Sequence, residues 1–380
     1  MRIAVNTRLL IGNRLDGIGI FTRETMRRIV RDHPEHQFLF LFDRPPSSDY
    51  IFGENVEPIV CGPVVREPIT ALIWQELQLP RILRREKANL LFSPEPMHSL
   101  RAKLPKVEVV HDLNYEHEPE YLPPIWRAYY NIFSKRYARD VSRLVTVSDY
   151  SKKDIVNLYQ IPEEKIDVVY NGAPDIELSF SSKEVEAIRR KYTAGNPYFY
   201  FVGTLHQRKN IVGMLRAFDQ FKKNDRKNVQ LVIVGRKKWW NREMESTWRE
   251  MKNQESVVFA GRLEDDELKR VAGGSIGLLY VPFFEGFGIP ILEAFSVHVP
   301  VIAANVTSMP EVAGEGGLLV DPHSVEEISE AMTQLATDPK LREQLIEKGK
   351  SRRKLFTWER TASLLWQSFE QVLREVKKID

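Results

Sequence analysis

Leu278-Leu279-Tyr280-Val281-Pro282-Phe283-Phe284-Glu285-Gly286-Phe287-Gly288-Ile289-Pro290-Ile291-Leu292-Glu293-Ala294 is the stretch from which the rest of the chain is read. Ile276 to Val281 is a short apolar run, the pattern of a strand buried in a parallel sheet. Pro290 suits the first position of a helix, with Ile291, Leu292, Ala294 and Phe295 on its inner face. A glycine-containing loop between strand and helix exposes unpaired N–H groups at the positive end of the helix dipole, where phosphate is favoured. Two carboxylates flank that place. Glu293 is expected in the first helical turn, where the dipole alone would account for an acid. Glu285, among aromatics and a glycine, has no capping role to explain it.

Around this stretch, 380 residues suffice for two domains of ordinary size. A hydrophobic content of 43% and a charged content of 28% are those of a globular protein. No run approaches the ~18 apolar residues of a membrane span. Met1-Arg2-Ile3-Ala4-Val5-Asn6 reads as a strand and not as a signal peptide. The single Cys61 rules out an internal disulfide and fits a reducing cytoplasm. A net charge of +3 is too small to argue for nucleic acid.

Short apolar runs alternate with amphipathic ones along the whole chain, the pattern of α/β sheets. Strands are expected at Arg2–Asn6, Gln37–Phe42, Glu57–Val60, Leu90–Phe92, Val107–Val110, Leu144–Val147 and Ile166–Val169. A second series comprises Tyr198–Val202, Gln230–Val234, Val257–Phe259, Ile276–Val281, Val299–Ala303 and Leu318–Val320. In the first half, helices are expected from about Ile18 to Arg31, Ile73 to Glu86, Pro124 to Arg139 and Tyr150 to Tyr159. Ligands of such sheets collect at the carboxyl ends of strands. Residues 1–175 then form one domain, 176–196 a linker with a short helix, and 197–361 a second domain.

The spacing Glu285-Gly286-Phe287-Gly288-x-Pro290-x-x-Glu293-Ala294 resembles the signature of retaining nucleotide-sugar glycosyltransferases of family 4, group 1. The resemblance implies the GT-B fold, with two Rossmann-like α/β domains facing a central cleft. It further implies an N-terminal acceptor domain, a C-terminal nucleotide-sugar domain, and a last helix, about 362–380, packing back on the first. Under it, Glu285 contacts the transferred sugar, Glu293 the ribose, and the N–H groups of Phe287, Gly288 and Ile289 the distal phosphate.

Other motifs fall in the family's order. Gly203-Thr204-Leu205-His206-Gln207-Arg208-Lys209-Asn210 follows the first strand of the second series. Adjacent cations at a strand end make charge-assisted bonds to phosphate, and an isolated pair of this kind is otherwise a solvated turn. By resemblance, Arg208 and Lys209 neutralise the donor diphosphate. Gly17 and Gly19, before a helix, resemble a loop facing donor and acceptor, although a plain turn explains them equally. His111-Asp112 ends a strand: either a hydrogen-bonded corner or, by resemblance, a contact to the donor sugar through His111. Ser148 reads first as an N-cap, with Lys152 beside it as a further cleft candidate. Gly235-Arg236 and Gly261-Arg262 resemble the nucleobase and ribose walls. The aromatic-rich run Ile125–Tyr137 reads as a core or cleft-lining helix more readily than as a membrane face, and Arg236-Lys237-Lys238-Trp239-Trp240 as an exposed loop or a membrane or glycan contact.

The expected activity is therefore transfer of a hexose, best mannose from GDP-mannose, to a glycan or lipid-linked acceptor in cell-surface polysaccharide synthesis, with retained configuration. No Asp-x-Asp stands beside a donor-like strand end, so neither metal nor other cofactor is expected. Expected partners are the nucleotide sugar and the acceptor, with no nucleic acid and at most a weak peripheral membrane contact. Expected localisation is cytoplasmic, at most against the inner face of the membrane. A nucleotide-sugar epimerase on the same scaffold and a non-catalytic two-lobed sugar-phosphate-binding protein are the rival readings.

Overall fold

Ile3, Ala4 and Val5 are all fully buried, which requires cover on both faces of their strand and neighbours on both edges. The computed structural model, which describes residues 1–12, 15–225 and 227–377, supplies both. Positions 378–380 of the expected last helix lie outside the described residues. Strands β1 (Arg2–Asn6), β2 (Gln37–Phe42), β3 (Val56–Val60), β4 (Leu90–Ser93), β5 (Lys106–Val109), β6 (Arg143–Thr146) and β7 (Ile166–Val168) form one parallel sheet. Its order is β3-β2-β1-β4-β5-β6-β7. A second parallel sheet holds β8 (Tyr198–Val202), β9 (Gln230–Val234), β10 (Val257–Gly261), β11 (Gly277–Tyr280), β12 (Val301–Ala304) and β13 (Gly317–Val320), in the order β10-β9-β8-β11-β12-β13. This is the α/β class expected, with each apolar run a strand to within a residue or two.

Each sheet reverses its direction of growth once, between β1 and β4 in the first and between β8 and β11 in the second. Such switch points leave a crevice at the carboxyl ends of the two central strands, where ligands of open α/β sheets bind. The loops after β8 and β11 carry Arg208-Lys209 and Glu285 respectively. The fold thus brings together motifs that are far apart in the chain.

The chain divides into two compact units, Met1–Gly172 with Trp358–Asp380, and Ala173–Thr357. The stretch 176–196 belongs to the second of these and contains the helix Ser182–Thr193, started by a Ser181/Glu184 capping box. The last helix runs over Trp358–Lys377, so it begins a few residues ahead of the stretch, about 362–380, expected to pack back on the first domain. It packs on the helix Gly17–Asp32 and on β5 and β6, burying Trp358, Leu365, Trp366, Phe369 and Val372. Arg28, buried in the first helix, pairs with Glu359 at 2.9 Å.

Two local readings change. The helix expected from Ile73 starts at Pro68, with Glu67 as its cap, and passes through a π turn at Trp74–Gln78 before continuing over Leu79–Arg85. Pro68 at the first helical position favours this start, since its missing N–H faces no acceptor there. Gly17 and Gly19 lie inside the first turn of their helix, not ahead of it. Asp16 is the cap and accepts from the Gly19 amide at 2.9 Å. A Cβ on Gly19 would meet Leu15 Cδ2 at 2.9 Å and the Leu9 carbonyl at 3.1 Å, so its smallness lets the chain fold back over the helix start.

Candidate functional site

The glycine ladder that shapes the second unit's strand ends comes first. The Gly203 amide donates to Val234 O at 3.0 Å and the Gly235 amide to Gly261 O at 2.8 Å. Gly203, Gly235 and Gly261 have φ of +151°, +154° and +69°. A Cβ on Gly235 would lie 1.9 Å from the Gly203 carbonyl oxygen, so no other residue fits there. Arg236 and Arg262 follow two of these glycines and project, exposed, from the ends of β9 and β10.

From the same edge, residues 207–209 form a single 3₁₀ turn capped by His206, and Asn210 ends it in the left-handed region at φ 56°. Asparagine tolerates that conformation, and here its side chain is used three ways. Its Nδ2 donates to Val281 O at 3.1 Å and Pro322 O at 2.6 Å, while its Oδ1 accepts from the Gly213 amide at 3.1 Å. The turn is thereby tied to the end of β11. The Phe283 amide adds a bond to Arg208 O at 2.9 Å.

What this tie achieves is a charge cluster. Arg208 Nη1 donates to Glu285 Oε1 and to Phe284 O, each at 2.6 Å. Lys209 Nζ donates to the same Glu285 Oε1 and, at 2.7 Å, to the Tyr280 hydroxyl. Its ammonium also stands 5.0 Å from the Tyr280 ring centroid. All three charged side chains are 12–20% exposed. Two cations on one carboxylate leave an excess positive charge at a partly desolvated strand end, where charge interactions are stronger than in water.

The helix Ile289–Ser296 starts immediately beyond. Gly288 caps it at φ 98°, and the Gly288 and Ile289 amides make no hydrogen bond among the described residues. They add helix N-terminal donors next to the cation pair. Glu293 falls in the second turn, not the first, so the dipole explanation lapses for it. It is half-buried and makes no hydrogen bond with the described residues. Burial, with Asp265 in support and Lys269 opposing, pushes its carboxyl up to about 7.

Three residues at this place escaped sequence reasoning. In the sequence Tyr280 reads only as part of a strand. Ser308 Oγ donates to Glu285 O at 2.9 Å and fixes the loop from below. Thr307 holds φ 54°, uncommon for a β-branched residue, and its buried hydroxyl has no partner among the described residues. The signal available was Thr307-Ser308-Met309-Pro310, hydroxyls just before a proline that opens a helix.

The first unit's candidates sit at the ends of β5 and β6. His111 Nε2 donates to Pro94 O at 2.9 Å, which leaves Nδ1 as an acceptor. Burial lowers its pKa, so the ring is neutral at pH 7, and Phe21 packs edge-on at 5.2 Å. Asp112 caps the next turn through the Asn114 amide at 3.0 Å. Ser148 is the N-cap it reads as, accepting from Ser151 N at 3.0 Å, and Lys152 faces Glu163 at 3.5 Å. Gly17 and Gly19 stand at the neighbouring helix start. The structure thus gathers Arg208, Lys209, Glu285, Gly288 and Ile289 into one cluster within the second unit, and Gly203, Gly235 and Gly261 into the ladder beside it. Among the described residues no group of three or more His, Cys, Asp or Glu side chains could hold a metal ion.

Residues 184–352 match the family described as glycosyl transferases group 1, and residues 15–175 match glycosyltransferase family 4. Over 258 residues the chain is 33% identical to O-antigen chain mannosyltransferase B of Escherichia coli, covering 67% of each protein. It is 23% identical over 246 residues to the serotype-specific mannosyltransferase WbdA of Escherichia coli, which covers 62% of this chain and 30% of that one. The solved structure of Anabaena Alr3699/HepE in complex with UDP and glucose matches with a TM-score of 0.75 at 16% identity, over 98% of this chain and 100% of that one. At that identity the likeness is one of fold, the GT-B fold.

Proposed function

Since the chain belongs to the family 4, group 1 glycosyltransferases, we propose that it transfers a hexose from a nucleoside diphosphate to an acceptor hydroxyl with retention of configuration. The observation that carries the reading is the Arg208–Glu285–Lys209 cluster at a switch point beside a helix N-terminus. Glycosidic cleavage sends an electron pair onto the leaving diphosphate. Arg208, Lys209 and the Gly288 and Ile289 amides stand where that charge can be met by groups already in place. Glu285, held by both cations, is poorly placed as a nucleophile and well placed to accept a sugar hydroxyl. Attack by the acceptor hydroxyl on the face the diphosphate leaves, with its proton passing to a phosphate oxygen, then keeps the configuration. Within the first unit, His111, neutral with Nδ1 as acceptor, offers a hydrogen-bond acceptor to a hydroxyl.

Mannose from GDP-mannose, in polysaccharide synthesis, is the leading donor and setting, supported by the two mannosyltransferase relatives. A uridine nucleotide is the second reading, because the Anabaena protein binds UDP. Slow hydrolysis of a panel of nucleotide sugars, followed with acceptor by NMR of the new linkage, decides both points. GDP-mannose is expected to be consumed first, and an inverted product overturns the mechanism. With the cation pair neutralising the diphosphate, excess EDTA is expected to leave most of the activity. Loss restored by Mn²⁺ or Mg²⁺ refutes that.

Glu293 gives a pH signature. Its folded pKa is raised to about 7, so the empty site holds a neutral carboxyl below that pH. As a ribose acceptor it must ionise on binding, so donor affinity is expected to fall as pH drops below 7, by up to about tenfold per unit. Calorimetric titration between pH 6 and 8 should show this slope, and Glu293→Gln should flatten it while raising donor KM.

A further inference from the structure

The reversal of the first sheet between β1 and β4 leaves a crevice of its own, and the transfer chemistry above uses none of the charged groups that line it. Arg8, two residues beyond β1, and Glu95, two beyond β4, are joined across it. Arg8 donates through Nε to Glu95 Oε1 and through Nη2 to Oε2, and the two side chains are 12% and 5% exposed. Glu95 is held from elsewhere as well. Asn6 Nδ2 donates to its Oε1 at 2.9 Å, Ser93 Oγ to its carbonyl at 2.9 Å, and the His111 ring to the preceding Pro94 carbonyl. The Arg8 fork is thereby fixed, and its Nη1 makes no hydrogen bond with the described residues.

The end of β2, beside β1, repeats the arrangement. Arg44 grips Asp43 through Nε at 2.7 Å and Nη2 at 2.9 Å, and the Asp43 side chain is fully buried. Arg8 and Arg44 thus each have their own carboxylate, and Asp112 beyond β5 adds a further acid. The second unit's crevice is the reverse, with two cations on one carboxylate. A phosphate entering the first crevice would meet cations already bonded bidentately and acids that repel it. A neutral polyol would find donors and acceptors side by side and bring no charge to be matched.

Tyr130 adds an aromatic wall. It lies on the helix Pro124–Asp140 and stacks on Tyr115 at 4.6 Å, with Trp126 at 6.0 Å. Burial, with Glu95 and Asp112 in support and Arg8 opposing, pushes its hydroxyl up to about 12, so it stays a donor at neutral pH. That hydroxyl makes no hydrogen bond with the described residues. An aromatic body with a few converging polar groups is how a pocket orients a small polar ligand.

We propose that this crevice binds an uncharged sugar, the acceptor end of a neutral glycan, through Arg8 Nη1, Glu95 and the Tyr130 hydroxyl, and discriminates against acceptors phosphorylated at that end. That the sugar is the acceptor rests on the transfer reading above. The groups that select it belong to the first unit alone.

Calorimetry on the full chain, with GDP present, compares neutral α-mannotetraose with the same tetraose carrying a phosphomonoester on its non-reducing end. The neutral sugar is expected to bind about tenfold more tightly or better. Tyr130→Phe should weaken that binding about three- to tenfold with an unchanged thermal melt, since the hydroxyl bonds no described residue. Glu95→Gln leaves Arg8 without its counter-charge and should shift the preference toward the phosphorylated sugar by about tenfold, which a mere loosening of the crevice would not do. Tyr130→Phe keeps the test valid should Glu95→Gln fold poorly. Binding of neither sugar, preference for the phosphorylated one, or indifference to both variants overturns the proposal. Titration with GDP and UDP alone separates the two levels of failure. If a nucleotide binds and the neutral sugar does not, this inference alone falls, and if neither binds, the transfer reading falls with it.

Discussion

Lys209→Ala is expected to lower kcat/KM by about 10²-fold or more, the scale of losing one preorganised electrostatic contact. Lys209 is held from three directions, by Glu285, by the Tyr280 hydroxyl and by the Tyr280 ring. Its ammonium therefore needs little reorganisation when the diphosphate departs. Because Arg208 still reaches Glu285 at 2.6 Å and the Phe284 carbonyl, the loop should keep its place in the variant. Steady-state kinetics beside a thermal melt check the point. Unchanged kinetics in a folded variant would make the pair a solvated turn. Lys209→Arg is not a conservative rescue, since a planar fork cannot reproduce both the Tyr280 hydroxyl bond and the ring contact.

Glu285→Gln is expected to divide binding from turnover. The carboxylate is the counter-ion of both cations, so its neutralisation leaves the site more positive by one charge. Free nucleoside diphosphate should then bind more tightly, about three- to tenfold, which is the opposite of what removing a plain binding group does. At the same time kcat should fall at least ~10-fold, because an acid that accepts a sugar hydroxyl and opposes positive charge on the ring acts most strongly as the bond breaks. Calorimetry with the diphosphate and single-turnover rates measure the two effects separately. A defect confined to affinity would remove Glu285 from the transition state.

The strands were legible because each is a short apolar run, and burial on both faces leaves little else such runs can be. The helix starts were less so. Asp16 takes the cap and draws Gly17 and Gly19 into the helix, a choice settled by Leu9 and Leu15 packing over Gly19, which is tertiary. The same limit applied to Glu293, whose turn depends on where Gly288 turns left-handed. At the site, the charged residues could be named, since Arg-Lys pairs and loop acids are conspicuous by type. Their mutual pairing could not, because Arg208 and Glu285 meet only through the order of β8 and β11 in the sheet. Asn210, Tyr280 and Ser308 act as supports, and a support has no signature apart from the thing it holds.

The first unit is closed by a helix made only after the whole second unit. Residues 173–357, the whole second unit, are synthesised between Gly172 and Trp358. At ordinary translation speeds this is a wait of roughly 10–40 s. During it the first sheet lacks the cover that Trp358, Leu365, Trp366, Phe369 and Val372 later give, and Phe92, which ends against Phe369 at 4.9 Å, has no such neighbour. The second unit, continuous in the chain, can fold as it emerges, while its elder neighbour stays open on one side. A nascent chain of this kind presents a dated apolar surface to chaperones.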